Sequence, residues 1–235
     1  MKICSKCKIQ KTKENFWKSN SKDGLYPHCK ECDKKRNYYV KHINKMKKAQ
    51  RVRSSILRTK NRKLMIEFLS NKKCTDCGES NIEVLEFDHI KGKKKDKVPR
   101  ILLDYAWPVV LKEIKKCEIV CSNCHRLRTE QRINSYRYRF FNNEIRGDIF
   151  KDFALSKLSF SHCKDCKTTL GIVLDYDHRN RKTKTAKIAD IIRRRNCVTI
   201  QDLQAEIKKC DVRCANCHRI RTNRQLDSYK IGNNI

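Results

Sequence analysis

Two short constellations in this chain combine residue types suited to hydrolytic chemistry. In the first, Asp88-His89 lies in a β-prone run, residues 84–90, and Cys121-Ser122-Asn123-Cys124-His125 follows further along. In the second, Asp177-His178 is followed by Cys214-Ala215-Asn216-Cys217-His218. A carboxylate and an imidazole can hold a divalent ion, with water and phosphate completing its shell. A further neutral imidazole, with an unperturbed pKa of about 6.5, can take a proton from water near working pH. Phosphodiester hydrolysis needs both: a base on one side of phosphorus and charge stabilisation on the leaving oxygen. Neighbouring strand residues point to opposite faces, so Asp88 and His89 cannot duplicate one another. The strand end is expected to turn so that both reach one phosphate.

Cysteines supply the frame that must position these groups. Of the fifteen, twelve fall in six C-x-x-C pairs: Cys4/Cys7, Cys29/Cys32, Cys74/Cys77, Cys121/Cys124, Cys163/Cys166 and Cys214/Cys217. Zinc takes four soft ligands in a tetrahedron, so six pairs make three structural Zn²⁺ sites. The alternative, a disulfide framework, suits neither this spacing nor the start of the chain, where residues 1–6 contain no apolar signal-peptide core. Cys117, Cys197 and Cys210 remain, and the default for them is a small buried hydrophobe.

The chain repeats itself. Cys74-Thr75-Asp76-Cys77 matches Cys163-Lys164-Asp165-Cys166, and Val84-Leu85-Glu86-Phe87-Asp88-His89 matches Val173-Leu174-Asp175-Tyr176-Asp177-His178, at an offset of 89. Glu113-Ile114-Lys115-Lys116-Cys117 then matches Glu206-Ile207-Lys208-Lys209-Cys210, at an offset of 93. Cys121 to Arg126, Arg128-Thr129 and Ser135-Tyr136 match Cys214 to Arg219, Arg221-Thr222 and Ser228-Tyr229 at that same offset. The shared residues are the polar, chemically capable ones. Five segments follow: a zinc-stapled head (1–35), a basic helical linker (36–70), copy one (71–136), a helical connector (137–159) and copy two (160–235). Within a copy the expected order is strand, irregular basic loop (91–100), short strand, then a helix from Asn123 or Cys124. The linker region 33–73 holds 15 Lys/Arg against 2 Asp/Glu, with no proline or glycine. Its apolar residues recur at roughly helical spacing, which predicts a basic helix; the alternative is a solvated charged linker. In the head, Phe16 and Trp17 are expected to form a tiny core, with base stacking as the alternative, and His28 is a bystander beside Cys29.

The pattern C-x-x-C, F-D-H, C-x-N-C-H-R and R-T resembles the HNH (ββα-metal) endonuclease family, in particular the zinc-stapled phage type related to endonuclease VII. It covers about two-thirds of the chain, in two copies. The resemblance implies an α+β fold of two tandem ββα-metal modules, in each of which a Cys₄ zinc clamps a hairpin to a helix around one catalytic Mg²⁺ or Mn²⁺. It assigns His89 and His178 as general bases, and Asp88 with His125, and Asp177 with His218, as ligands of the catalytic ions. Asn123 and Asn216 correspond to the family's loop-bracing asparagine, although here it lies inside the C-x-x-C. Neither copy has a histidine four residues after His125 or His218, so a three-histidine metal site is not expected. The products would carry 5′-phosphate and 3′-hydroxyl ends. The N-terminal segment is similar to the zinc-ribbon-like heads found ahead of phage HNH domains.

Composition fits a nucleic-acid partner. The 57 Lys+Arg against 26 Asp+Glu leave a formal charge of +31, which favours polyanions. Lys45, Lys47, Lys48, Arg51 and Arg53 of the linker, with Arg126 and Arg219, are the expected DNA contacts. Only 38% of residues are apolar, which argues against one large core. The nearest apolar run, residues 105–111, is far shorter than the ~20 residues a membrane span needs. The expectation is an intracellular DNA nuclease, a monomer acting as a pseudo-dimer on double-stranded or branched DNA, with an oligomer as the alternative state. The competing function class is a non-catalytic zinc-finger protein that binds DNA or RNA.

Overall fold

Small antiparallel ribbons, each tied to a helix by a cysteine tetrad, organise the chain. The computed structural model describes residues 1–36, 38–194 and 197–225. Ser228-Tyr229, the expected close of copy two, lie outside the described residues. The class is α+β, and the chain divides into two units, Met1–Ile56 and Leu57–Ile235. No described helix is long and apolar enough to cross a membrane.

In the first unit β1 (Lys2–Ile3) pairs with β2 (Gln10–Lys11), β3 (Phe16–Lys18) pairs with β4 (Leu25–Cys29), and α1 (Lys30–Arg36) follows. Phe16 is buried against Cys4 and Cys29. Trp17, the next residue on the strand, faces the other way and is 47% exposed, with Lys30 Nζ 4.8 Å from its ring centroid. The shared core expected of the pair is therefore Phe16 alone. Helix α2 (Tyr38–Ser70) is continuous, as a segment without proline or glycine allows. Lys45, Lys47, Lys48, Arg51 and Arg53 are exposed on it.

In the second unit the repeat unfolds twice. Copy one is β5 (Leu85–His89), α3 (Val98–Asp104), α4 (Trp107–Ile114), β6 (Cys117–Cys121) and α5 (Ser122–Arg132). Helices α6 (Tyr136–Phe141) and α7 (Ile149–Ser159) connect it to copy two. Copy two is β7 (Leu174–His178), α8 (Ile188–Arg193), α9 (Ile200–Ile207), β8 (Cys210–Cys214) and α10 (Ala215–Gln225). Strands β5 and β6 pair in register from Leu85↔Cys121 to His89↔Cys117, and β7 with β8 from Leu174↔Cys214 to His178↔Cys210.

Two expectations are corrected. The irregular basic loop ends at Lys97, three residues short of the expected Arg100, and two short helices per copy fill the rest of the stretch before the second strand. Proline in the first turn of α3 and α4, and a Thr199/Asp202 capping box on α9, start them. Their apolar sides fill the core beside the hairpin through Val98, Ile101, Leu102 and Val110 in one copy and Ile188, Ile191 and Leu203 in the other. The modules also begin earlier than the cysteines suggest. Met65 and Leu69, at the end of α2, are buried in the core of copy one. Leu155 and Leu158 of α7, with Phe140 of α6, are buried in that of copy two. The connector is thus part of the second module, and the first takes in the end of the linker helix.

Of the leftover cysteines, Cys117 and Cys210 are half-buried, each thiol donating to the carbonyl of Glu113 or Glu206 at 3.5 Å. Burial raises both thiols to about 11. Cys197 is exposed rather than buried.

Gly171 shows how closely the connector seats. A Cβ there would stand 2.7 Å from Cζ of Phe141, well inside van der Waals contact. Gly171→Ala should destabilise copy two by about 1–3 kcal/mol, read as a lowered urea midpoint. Phe141→Leu in the same chain should recover part of the loss.

Candidate functional site

Three tetrads come together: Cys4, Cys7, Cys29 and Cys32; Cys74, Cys77, Cys121 and Cys124; Cys163, Cys166, Cys214 and Cys217. In each, all four Sγ atoms lie within 4.8 Å of one another. Sγ–Sγ separations are 3.7 Å for Cys77–Cys121, 3.7 Å for Cys166–Cys214 and 4.0 Å for Cys7–Cys29. A tetrahedron with Zn–S arms of about 2.3 Å has edges of about 3.8 Å, whereas a disulfide is about 2.05 Å. All fifteen cysteines are free of disulfides. The donor set and its spacing fit zinc. Each leading knuckle closes the same way, on a residue in left-handed backbone just after the second cysteine: Lys8 (φ 62°), Gly78 (φ 76°) and Lys167 (φ 63°). Its N–H donates back to the carbonyl of Cys4, Cys74 or Cys163 at 2.9–3.0 Å.

Inside each zinc-type frame, strand alternation and helix periodicity bring the acid and histidine side chains together. Glu86 and Asp88 share one face of β5, and α5 lays His125, Arg128, Thr129 and Arg132 toward it. His125 Nδ1 is hydrogen-bonded to Glu86. An ionised carboxylate only accepts, so Nδ1 carries the proton and Nε2 keeps its lone pair. His125 Nε2 lies 3.7 Å from Asp88 Oδ1. In copy two His218 Nε2 lies 3.5 Å from Asp177 Oδ1. Two ligands about 2.1 Å from one octahedral ion sit about 3.0 Å apart, so each pair would have to close by about 0.5–0.7 Å to share one such ion. Burial lowers the pKa of the His125 imidazole, favouring its neutral form.

Each aspartate is clamped by two guanidinium groups. Asp88 Oδ2 accepts from Arg132 Nη2 at 2.8 Å and Arg128 Nη1 at 3.2 Å. Asp177 Oδ2 accepts from Arg221 Nη1 at 2.5 Å and Arg213 Nη1 at 3.0 Å. Burial alone would raise Asp88's carboxyl pKa; Arg132 and Arg128 outweigh it and hold the group below its ordinary value.

His89 and His178 face other partners. His89 Nε2 is 2.9 Å from Glu113 Oε1, and His178 Nε2 is 2.8 Å from Glu206 Oε1. Both glutamates are buried. Burial pushes the Glu113 carboxyl up, but the Lys116 ammonium, the Lys95 N–H and His89 together hold it at about 2. Lys209, the Thr185 N–H and His178 do the same for Glu206. Each histidine therefore donates its Nε2–H to an ionised carboxylate, and in the neutral ring Nδ1 holds the lone pair. The strand does not turn at its end, since the pairing runs on through His89↔Cys117. A cavity of about 610 Å³ instead borders both faces of β5, lined by Asp88, His89 and His125 with Lys94, Lys97 and Arg132. Its counterpart, about 700 Å³, is lined by Asp177, His178 and His218 with Arg181, Lys184 and Lys187.

The remaining expected residues are placed differently. Asn123 and Asn216 do not brace their own loops: each side-chain oxygen accepts the backbone N–H of the other, at 3.0 and 2.9 Å. Arg126 and Arg219, expected on DNA, pair across the modules with Asp175 (2.6 Å) and with Glu86. These asparagine and arginine contacts recur with the roles exchanged, as an approximate two-fold relation produces. The residues missed by sequence reasoning are Glu113 and Glu206, Glu86 and Asp175, and the clamping arginines. All but Arg132 and Arg213 stand at matched positions of the repeat, which was the available signal. No family model, curated protein or solved structure matches the chain.

Metal analysis of the purified chain should give three zinc ions. Zinc ligation contributes on the order of 10 kcal/mol in comparable small domains. Cys74→Ser should therefore lose one zinc and unfold the first module, seen as loss of its amide protection from hydrogen exchange.

Proposed function

We propose that the second unit is a metal-dependent DNA endonuclease of HNH type with two sites, each hydrolysing a phosphodiester of one strand. The observation that carries this reading is the repeated juxtaposition, in one lysine-rimmed cavity, of a carboxylate-held histidine and an Asp–His pair within about 0.5–0.7 Å of the spacing one ion needs. His89 and His178 act as bases: Nδ1 takes the proton of the attacking water, and the imidazolium that forms is stabilised by ionised Glu113 or Glu206. Asp88 with His125, and Asp177 with His218, would hold Mg²⁺ or Mn²⁺. When bound, such an ion supplies Lewis-acid stabilisation of the phosphate and the leaving 3′-oxygen. Lys94 and Lys97, and Arg181, Lys184 and Lys187, hold the flanking phosphates. By the family resemblance the ends are 5′-phosphate and 3′-hydroxyl.

A second reading, a non-catalytic zinc-finger nucleic-acid binder, is favoured by one observation. Asp88 and Asp177 are each already paired with two arginines, which compete with a cation. Cleavage decides between the two. With Mg²⁺ or Mn²⁺, the wild type should make paired nicks in opposite strands of a defined duplex or branched DNA. His89→Ala and His178→Ala should each leave a nicking enzyme, slowed at least 100-fold on one strand, and the strand spared should differ between them. The double variant should bind without cutting. A wild type that binds but never cuts would establish the second reading.

Binding should be dominated by counterion release, with a log–log salt slope of roughly −0.9 per phosphate contacted. Neutralising Lys45, Lys47, Lys48, Arg51 and Arg53 together should flatten that slope by several units in a fluorescence-anisotropy titration and leave kcat nearly unchanged. An unaltered slope would make this stretch of α2 a spectator.

A further inference from the structure

We infer that each metal-type site is held in shape by an arginine from the other module: Arg219 positions the Glu86–His125 pair, and Arg126 positions Asp175 beside His218. This rests on the metal-site reading above and adds a residue that neither touches the ion nor belongs to the module it serves.

The geometry is a relay. One oxygen of Glu86 holds His125 Nδ1. The other accepts from Arg219 Nη1 and, at 2.9 Å, from Ser122 Oγ. The carboxylate is thus fixed at both ends, and the ring it holds aims Nε2 at Asp88. In the reverse direction Arg126 Nη2 is 2.6 Å from Asp175 Oδ2, and that oxygen lies 3.8 Å from His218 Nδ1. A cleft of about 330 Å³ between the modules is lined by Glu86, His125, Arg126 and Arg219.

Ion pairs that only joined the modules could use any exposed carboxylate. These use the acids beside the metal-type histidines: Glu86, bonded to His125, and Asp175, 3.8 Å from His218. With Arg219 gone, Glu86 keeps its charge but loses its anchor, and it can swing away from His125 or toward the cation. Outer contacts of this kind change metal affinity by about 10–100-fold in other proteins. The arginines must therefore act crosswise, so that damage in one module is read in the other.

Manganese binding tests this without cleavage. Zinc-loaded protein is titrated with MnCl₂ by calorimetry, with Asp177→Asn isolating the first site and Asp88→Asn the second. Arg219→Met should weaken Mn²⁺ at least tenfold at the first site and less than threefold at the second. Arg126→Met should do the reverse, and Arg219→Lys should fall between Met and wild type. Zinc content and thermal melting verify each variant's fold. Should Arg219→Met fail to fold, Arg219→Lys takes its place and must show the same site preference. Equal weakening at both sites, none at either, or weakening confined to the arginine's own module overturns the crosswise assignment and leaves the nuclease reading intact. A wild-type chain that takes up no Mn²⁺ overturns the metal-site reading and this inference together.

Discussion

One cysteine in each module does three jobs, and the geometry of the site hangs on it. Cys121 is the last residue of β6, the N-cap of α5, and a member of the thiolate tetrad. Its Sγ accepts the Cys124 N–H at 3.5 Å, as a capping oxygen would. Cys214 repeats this with Cys217 in copy two. Strand end, helix start and staple therefore meet at one atom. The angle between hairpin and helix, and with it the 3.7 Å gap from His125 to Asp88, is set there rather than by a large core. A module this small has few other means of holding two side chains on different elements to a few tenths of an ångström.

Charge is arranged around that frame in an uneven way. The chain carries +31, yet each site gathers four acids: Glu86, Asp88, Glu113 and Glu118 in one module, Asp175, Asp177, Glu206 and Asp211 in the other. Nearly every one of them faces a guanidinium or an ammonium. Buried carboxylates need such partners to stay ionised. The arrangement also bears on phosphate. On the proposed function, an unpaired acidic pocket would repel a phosphate backbone, whereas one neutralised by arginine and rimmed by lysine would not.

Much of this was legible in the residues, and what was missed has physical reasons. The tetrads, the Asp-His strand and the His125 helix are local, because C-x-x-C spacing and strand alternation act over a few residues. Helices α3 and α4 are only seven and eight residues long, too short for a helical period to stand out, although Pro99 and Pro108 mark their first turns. The early start of each module was hidden because Leu69 and Leu158 share only apolar character and helical spacing with their surroundings. Arg126 and Arg219 read as DNA contacts because a conspicuous cation in a basic chain suggests phosphate. Their carboxylate partners lie 49 and 133 residues away, and nothing short of the folded two-module unit reveals the pairing.

The two modules keep the same donor atoms and differ in how they support them. At the position of Glu86 copy two has Asp175, one methylene shorter, and its carboxylate stands 3.8 Å from the histidine nitrogen. A second arginine, Arg137 of α6, lies 3.7 Å from that same carboxylate and donates to the carbonyls of Ile172 and Leu174. At the position of Arg132 copy two has Gln225, and Arg213 on β8, where copy one has Val120, supplies the missing guanidinium to Asp177. In each case a support that one copy draws from a given position is drawn in the other copy from a different element, so that Asp177 still has two guanidinium partners. Supporting groups are interchangeable because charge and hydrogen-bond reach are all they must provide. The Asp–His pair and the carboxylate-held histidine stay at the same positions in both modules, as the proposed single ion and single proton would require.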